Sequence, residues 1–186
     1  IALQNDTGSS ASDNISQDGL LNLSGVETGA VVQYSIDGGT TWSNSYSPVE
    51  GSNTVAVRQI DVAGNVSAAS SLSYTLDTQV AAPVVALASD SGSSSSDSIS
   101  KDGSLAVSGT EAGASIEYSV DNGTTWSSSF SAVEGTNDVL VRQTDVAGNV
   151  SAASPISFVL DTTAPAAPGI ALQNDTGSSA SDNISQ

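Results

Sequence analysis

The chain contains no cysteine and no histidine, and only three of its 186 residues are basic: Arg58, Lys101 and Arg142. Without cysteine, no disulfide can staple the fold and no thiolate can bind metal or act as a nucleophile. Without histidine, a Ser-His-Asp triad is excluded. Against 20 acidic side chains the three cations leave a formal net charge of −17. Nucleic acid and anionic membrane surfaces select clustered Lys and Arg, so neither is an expected partner. No window holds the roughly 18 unbroken apolar residues of a membrane helix, so no direct membrane contact is expected. No signal peptide is recognisable, and Ile1 falls inside a repeat. The sequence therefore reads as a piece of something longer, with its targeting information elsewhere.

What the chain does have is repetition. Tyr34-Ser35-Ile36-Asp37-Gly38-Gly39-Thr40-Thr41-Trp42 returns 84 places later as Tyr118-Ser119-Val120-Asp121-Asn122-Gly123-Thr124-Thr125-Trp126. The same offset links Asp61-Val62-Ala63-Gly64-Asn65-Val66-Ser67 with the string from Asp145 to Ser151. Ile170 to Gln186 repeats Ile1 to Gln17 residue for residue. A fixed period marks an array of modules, and arrays bind, space or support more often than they catalyse. The expected division is a first repeat over 1–79, a second over 80–163, and the linker and start of a third over 164–186.

Comparing the copies shows which strand face is apolar in both. Val32, Tyr34 and Ile36 alternate with residues that become polar in the second copy, so they are expected to face inward with period 2. The same reasoning selects Leu21 and Leu23, Val55 and Val57, and Leu72, Tyr74 and Leu76, each with its counterpart 84 residues on. Turn residues separate these runs, and no stretch shows helical periodicity. The expected fold class is all-β: tandem immunoglobulin-like antiparallel β-sandwiches of about seven strands each. Trp42 and Trp126 are expected to fill the core beside the inward tyrosines. Arg58 and Arg142 are expected to cover a sheet face.

A module of this size buries a modest core, and small extracellular domains often add disulfides or metal. With disulfides excluded and carboxylates abundant, a hard cation with oxygen ligands, Ca²⁺, is the expected cofactor. The candidate ligands are loop and module-end acids. Asp6 and Asp13 lie in the first Ser/Gly-rich loop, and Asp90 and Asp97 in its copy; Asp175 and Asp182 echo them again. Asp77 and Asp161 leave the last strand of each repeat. Asp145 and Asn149 form the last turn of the second repeat, with Asp61 and Asn65 their counterparts in the first. In an antiparallel sandwich, Asp6, Asp13 and Asp77 of one repeat should approach Asp145, Asn149 and Glu111 of the next. Carboxylates gathered there repel unless a cation bridges them, although aspartates also cap turns through their own backbone. No EF-hand loop or glycine-rich nonapeptide is present.

At these residues the chain resembles the bacterial immunoglobulin-like repeats of large type I-secreted adhesins, including biofilm-associated and RTX adhesins. The stretches that carry the likeness are Asp-Thr-Thr-Ala-Pro-Ala-Ala-Pro at 161–168, Asp-Ser-Gly-Ser-Ser-Ser-Ser-Asp at 90–97, and the Tyr118–Trp126 and Asp145–Ser151 strings. Gln79-Val80 departs from the linker pattern, which has one residue fewer here. The resemblance implies a secreted, cell-surface extender: a monomeric, elongated array whose partners are adjacent repeats of the same chain, stiffened by Ca²⁺ at the junctions. The alternative is an immunoglobulin-like module whose Ser/Thr/Asn loops bind a glycan or host protein. No enzymatic activity is expected, because the paired aspartates lie in Gly/Ser loops with no sign of a cleft.

Overall fold

The computed structural model describes residues 1–173; the candidate acids Asp175 and Asp182 lie outside them. Twelve strands form two tandem β-sandwiches. The first holds β1 (Ala2–Leu3), β2 (Ile15–Ser16), β3 (Leu21–Asn22), β4 (Val31–Ser35), β5 (Gly51–Ile60) and β6 (Ser70–Leu76). The second holds β7 (Val84–Leu87), β8 (Ile99–Ser100), β9 (Leu105–Ser108), β10 (Ser115–Ser119), β11 (Gly135–Thr144) and β12 (Ser154–Leu160). In each, a two-stranded sheet (β1-β3 or β7-β9) faces a four-stranded one (β2-β6-β5-β4 or β8-β12-β11-β10). The strands thus number six per sandwich among the described residues, not seven. The segment after each Gly-Thr-Thr-Trp turn pairs only through single bridges, Tyr34 with Ser43 and Tyr118 with Ser127.

Pairing is antiparallel with one exception in each unit. β2 runs parallel to β6 (Ile15 opposite Thr75), and β8 parallel to β12 (Ile99 opposite Val159). The cause lies in the first Ser/Gly-rich loop, which carries the chain from one sheet across to the edge of the other. Ser16 and Ser100 are buried at that crossing, and their hydroxyls donate to the carbonyls of Asn5 (2.9 Å) and Ser89 (2.8 Å).

Each sandwich has its own core. Leu3, Val55, Tyr74 and Leu76 are buried in the first, with Leu21, Tyr34, Tyr46, Val57 and Leu72 packed around them. Val139, Val141 and Phe158 form the second, with Phe130 set edge-on to Phe158. Two expectations need correction. Ile36 is 74% exposed and Val120 68%, because β4 and β10 end one residue earlier. The buried Ser35 and Ser119 take over there, each hydroxyl accepting the turn glycine N–H at 2.8 Å. Trp42 and Trp126 are not in the cores either. They lie half-buried under Arg58 and Arg142, whose guanidinium carbons sit 4.1 and 4.0 Å from the ring centroids. Gln33 holds Arg58, and Glu117 pairs with Arg142 at 2.9 Å, fixing each cation over its indole.

The turns before the tryptophans are organised by a carboxylate. Asp121 accepts from the Thr125 hydroxyl (2.6 Å), the Thr125 N–H (2.8 Å) and the Ser119 hydroxyl (2.7 Å). These donors, the Thr125 hydroxyl first, hold Asp121 down to about 2. Asp37 is held well below the usual carboxylate range by Thr41 and Ser35 in the same way. A folded-state value below the unfolded one stabilises the fold above the unfolded value, and that contribution is lost as pH falls. For Asp121 the loss is therefore expected between about pH 4 and pH 2. Thr125→Val should raise its titration midpoint toward the ordinary aspartate value in carboxyl-carbon NMR. An unchanged midpoint would contradict this assignment of cause.

Candidate functional site

The two sandwiches meet where the β1–β2 loop and the exit of β6 face the β11–β12 turn. That turn is built on Asp145, whose Oδ1 accepts the N–H groups of Gly148 (2.7 Å) and Asn149 (2.8 Å). Its Oδ2 accepts from the Asn149 side-chain amide at 2.8 Å. The same amide nitrogen donates to the main-chain carbonyl of Asp77 at 2.8 Å, tying the turn to the end of β6. From the first loop, the Thr7 hydroxyl donates to the Ala147 carbonyl (2.7 Å) and the Ser9 N–H to the Val146 carbonyl (3.0 Å).

The approach is close enough to require glycine. Gly8 has a φ of 95°, and a Cβ there would lie 2.0 Å from the Val146 carbonyl oxygen. Across the contact, a Cβ on Gly148 would lie 3.0 Å from the Gly8 Cα. The connecting segment is pinned as well, despite its departure at Gln79-Val80. Fully buried Gln143 donates to the Ala81 carbonyl at 2.8 Å, Pro83 is buried, and the Ser154 hydroxyl donates to the Pro83 carbonyl.

Three carboxylates converge on this junction. Oxygens of Asp77, Glu111 and Asp145 lie within 4.8 Å of one another. Asp145 is buried, 5% exposed, and the other two are half-buried. Glu111 is placed by its own N–H, which donates to the Gln143 side chain at 2.9 Å. Unit charges at such separations repel by about 1–3 kcal/mol per pair at a partly solvated site. The one ion pair among the described residues is Arg142 with Glu117, so no basic side chain offsets the trio. An all-oxygen set of this kind fits a hard divalent cation such as Ca²⁺.

The other candidate ligands cap turns. Asp6 Oδ2 accepts the Asn14 N–H (3.1 Å) and Asp13 the Ile15 N–H (3.0 Å). Asp90 and Asp97 repeat this with Ser98 and Ile99, both at 3.1 Å. Asp6 and Asp13 are therefore not in the trio, although their loop makes the junction's hydrogen bonds. One oxygen in each loop is left over: Asp6 Oδ1 and Asp90 Oδ1 are buried with no hydrogen-bond partner among the described residues. Asp61 accepts from the N–H and side-chain amide of Asn65 at 2.8 and 2.7 Å, which lowers its pKa. Asp161 accepts the Thr163 N–H at 3.1 Å, and Glu134, held low chiefly by the Thr162 hydroxyl, clamps the same exit.

Sequence reasoning did not single out Thr7, Gly8, Ser9 or Gln143. The signal for Gly8 was its position in a polar loop beside the candidate acids. Nothing in the spacing pointed to Gln143, whose side chain reaches Gly109, Glu111 and Ala81 only through the fold.

Residues 79–162 match the family model described as a bacterial Ig-like domain. Residues 15–69 match the one described as a chitobiase/beta-hexosaminidase C-terminal domain. No curated protein matches the chain. The fold and these matches define tandem Ig-like β-sandwich modules similar to bacterial ones. Among the described residues no helix is long and apolar enough to cross a membrane.

Proposed function

We propose that the chain is a spacer of a secreted bacterial surface protein, with modules over 1–79 and 80–163 and the start of another over 164–186. Neighbouring modules are its partners, and a divalent cation, Ca²⁺ by its oxygen ligands, holds them end to end as an extender of the RTX-adhesin kind. The observation that carries this reading is the convergence of Asp77, Glu111 and Asp145 from two sandwiches already joined by the Ser9–Val146 backbone hydrogen bond and by the Asn149 side chain on the Asp77 carbonyl. When bound, the cation supplies charge compensation. The chain's own residues do the orienting: Asn149 ties the turn to Asp77, and Gln143 holds Glu111 and the connecting segment. Asp161 at the end of β12, and Asp61 with Asn65 at the far end of the first sandwich, are counterparts available to further modules. The unpartnered oxygens of Asp6 and Asp90 add oxygen donors in the adjoining loops.

Calcium titration by calorimetry is expected to give saturable binding that Glu111→Gln weakens at least about tenfold, the effect of losing roughly 1.4 kcal/mol. Equal affinity in the variant, or no heat in the parent, counts against the metal reading.

A second reading is favoured by one specific finding, the match of residues 15–69 to a chitobiase/beta-hexosaminidase C-terminal domain. On the comparisons alone this reading has more support than a calcium-stiffened stalk: the first sandwich would be a module that associates with glycans. Binding of chito-oligosaccharides to the 186-residue chain, seen as residue-specific NMR shifts in 15–69, is its test. Unchanged spectra at saturating sugar would remove it.

A further inference from the structure

We propose that Asn122 is a site of spontaneous deamidation, closing a ring onto the Gly123 nitrogen, and that the buried Ser119 hydroxyl restrains the reaction. The inference does not depend on the cation or on glycan binding. Of the eleven asparagines in the chain, only Asn122 precedes a glycine. Elsewhere a side chain on the following residue crowds the attack on the asparagine amide. At Asn14, Asn65 and Asn149 that residue is a β-branched Ile or Val.

The turn holds the two reacting groups apart. Asn122 (φ 57°) and Gly123 (φ 85°) form the centre of a type I′ turn, closed by the Thr124 N–H on the Asp121 carbonyl at 3.4 Å. Asn122 is exposed to water. The Gly123 N–H instead points under the turn and donates to the Ser119 hydroxyl at 2.8 Å, and Ser119 is 2% exposed. An N–H held in this way neither loses its proton readily nor swings onto the neighbouring amide. Ring closure therefore waits on local opening of the turn.

Once the turn opens, hydroxide takes the Gly123 amide proton and the nitrogen attacks Asn122 Cγ. The new C–N bond forms as the old one breaks, and the side-chain nitrogen leaves as ammonia, protonated by water. Water then opens the five-membered imide at either carbonyl. Attack at the side-chain carbonyl gives aspartate; attack at the main-chain carbonyl gives isoaspartate, with one extra carbon in the backbone. The longer backbone cannot keep the Thr124 closure, the Asp121 bonds to Thr125 or the Trp126 indole bond to the Gly123 carbonyl. The damage is confined to the second sandwich. Its counterpart turn has Gly38 in place of Asn122, with no side-chain carbonyl to attack. Asp37, which also precedes a glycine, is held ionised by Thr41 and Ser35, and a carboxylate is a poor electrophile.

The test is peptide mapping by mass spectrometry of the 186-residue chain kept at mildly alkaline pH, folded and in urea. Residue 122 of the folded chain is expected to gain about 1 Da faster than any other asparagine, as an aspartyl and isoaspartyl pair. Conversion is expected to be at least about threefold slower in the folded chain than in urea, the ratio reflecting how seldom the turn opens. Ser119→Ala, while folded, should convert at least about threefold faster than the folded parent. Asn122→Gly, which restores the sequence of the first turn, should show no gain in that peptide. A folded parent no more modified at 122 than at its other asparagines overturns the site. A smaller or absent acceleration in folded Ser119→Ala overturns the restraint. Should that variant not fold, the parent alone decides, and a folded-to-urea difference below about threefold contradicts the restraint.

Discussion

Phe158→Ala is expected to melt the second sandwich about 3–5 kcal/mol more easily while leaving the first almost unchanged. Phe158 is among the largest fully buried side chains, at 2% exposure, and stands at the centre of a core of only three fully buried apolar residues. Its ring meets Phe130 edge-on with centroids 6.4 Å apart. Truncation removes the apolar area and leaves a cavity that the surrounding strands, locked in register, can fill only in part. In a domain of this size the loss corresponds to a midpoint lower by roughly 12 °C or more. The two cores share no residue, so calorimetry should resolve a displaced transition from an unmoved one. A single transition displaced as a whole would show that the junction couples the sandwiches into one cooperative unit.

Gly8→Ala is expected to open the junction, whereas Gly92→Ala, at the same place in the second repeat, is not. Both glycines have positive φ, 95° and 130°, so both substitutions carry the backbone cost of placing alanine there. Only Gly8 faces the other sandwich. Its added methyl would meet the Val146 carbonyl oxygen at 2.0 Å and the Ala147 carbonyl carbon at 2.6 Å, and backbone cannot swing aside as a side chain can. At Gly92 the nearest atom is 3.9 Å away. The hydrogen bond from the Ser9 N–H to Val146 should be lost, and with it the exchange protection of the Ser9 amide. Protection retained in Gly8→Ala would mean that the sandwiches are not held as described.

The 84-residue offset made much of the fold legible, because comparison of two copies separates packing from accident. Val55 and Val139 are apolar in both and buried in both, as are Tyr74 and Phe158. The comparison failed at Ile36 and Val120, where an apolar residue in both copies follows the last paired residue of its strand. Alternation cannot show where pairing stops; the hydroxyls of Ser35 and Ser119, already committed to the turn, show it. It failed at the tryptophans because an indole covered by a guanidinium on the outer face gives the same pattern as one in the core. Asp77, Glu111 and Asp145 are far apart in sequence, and only the direction of each strand puts them at one end. That much followed from topology. The roles of Asp6 and Asp13 did not, since a capping aspartate and a ligating one look alike in a Ser/Gly loop.

Small-angle scattering of the 186-residue chain in calcium and in chelator tests the cation-held junction most directly. The account predicts a narrow range of inter-sandwich angles in calcium, a broader one in chelator, and insensitivity to calcium in a Glu111→Gln/Asp145→Asn variant. Superimposable curves in both solutions, with the parent chain as stiff without the ion as with it, would contradict it.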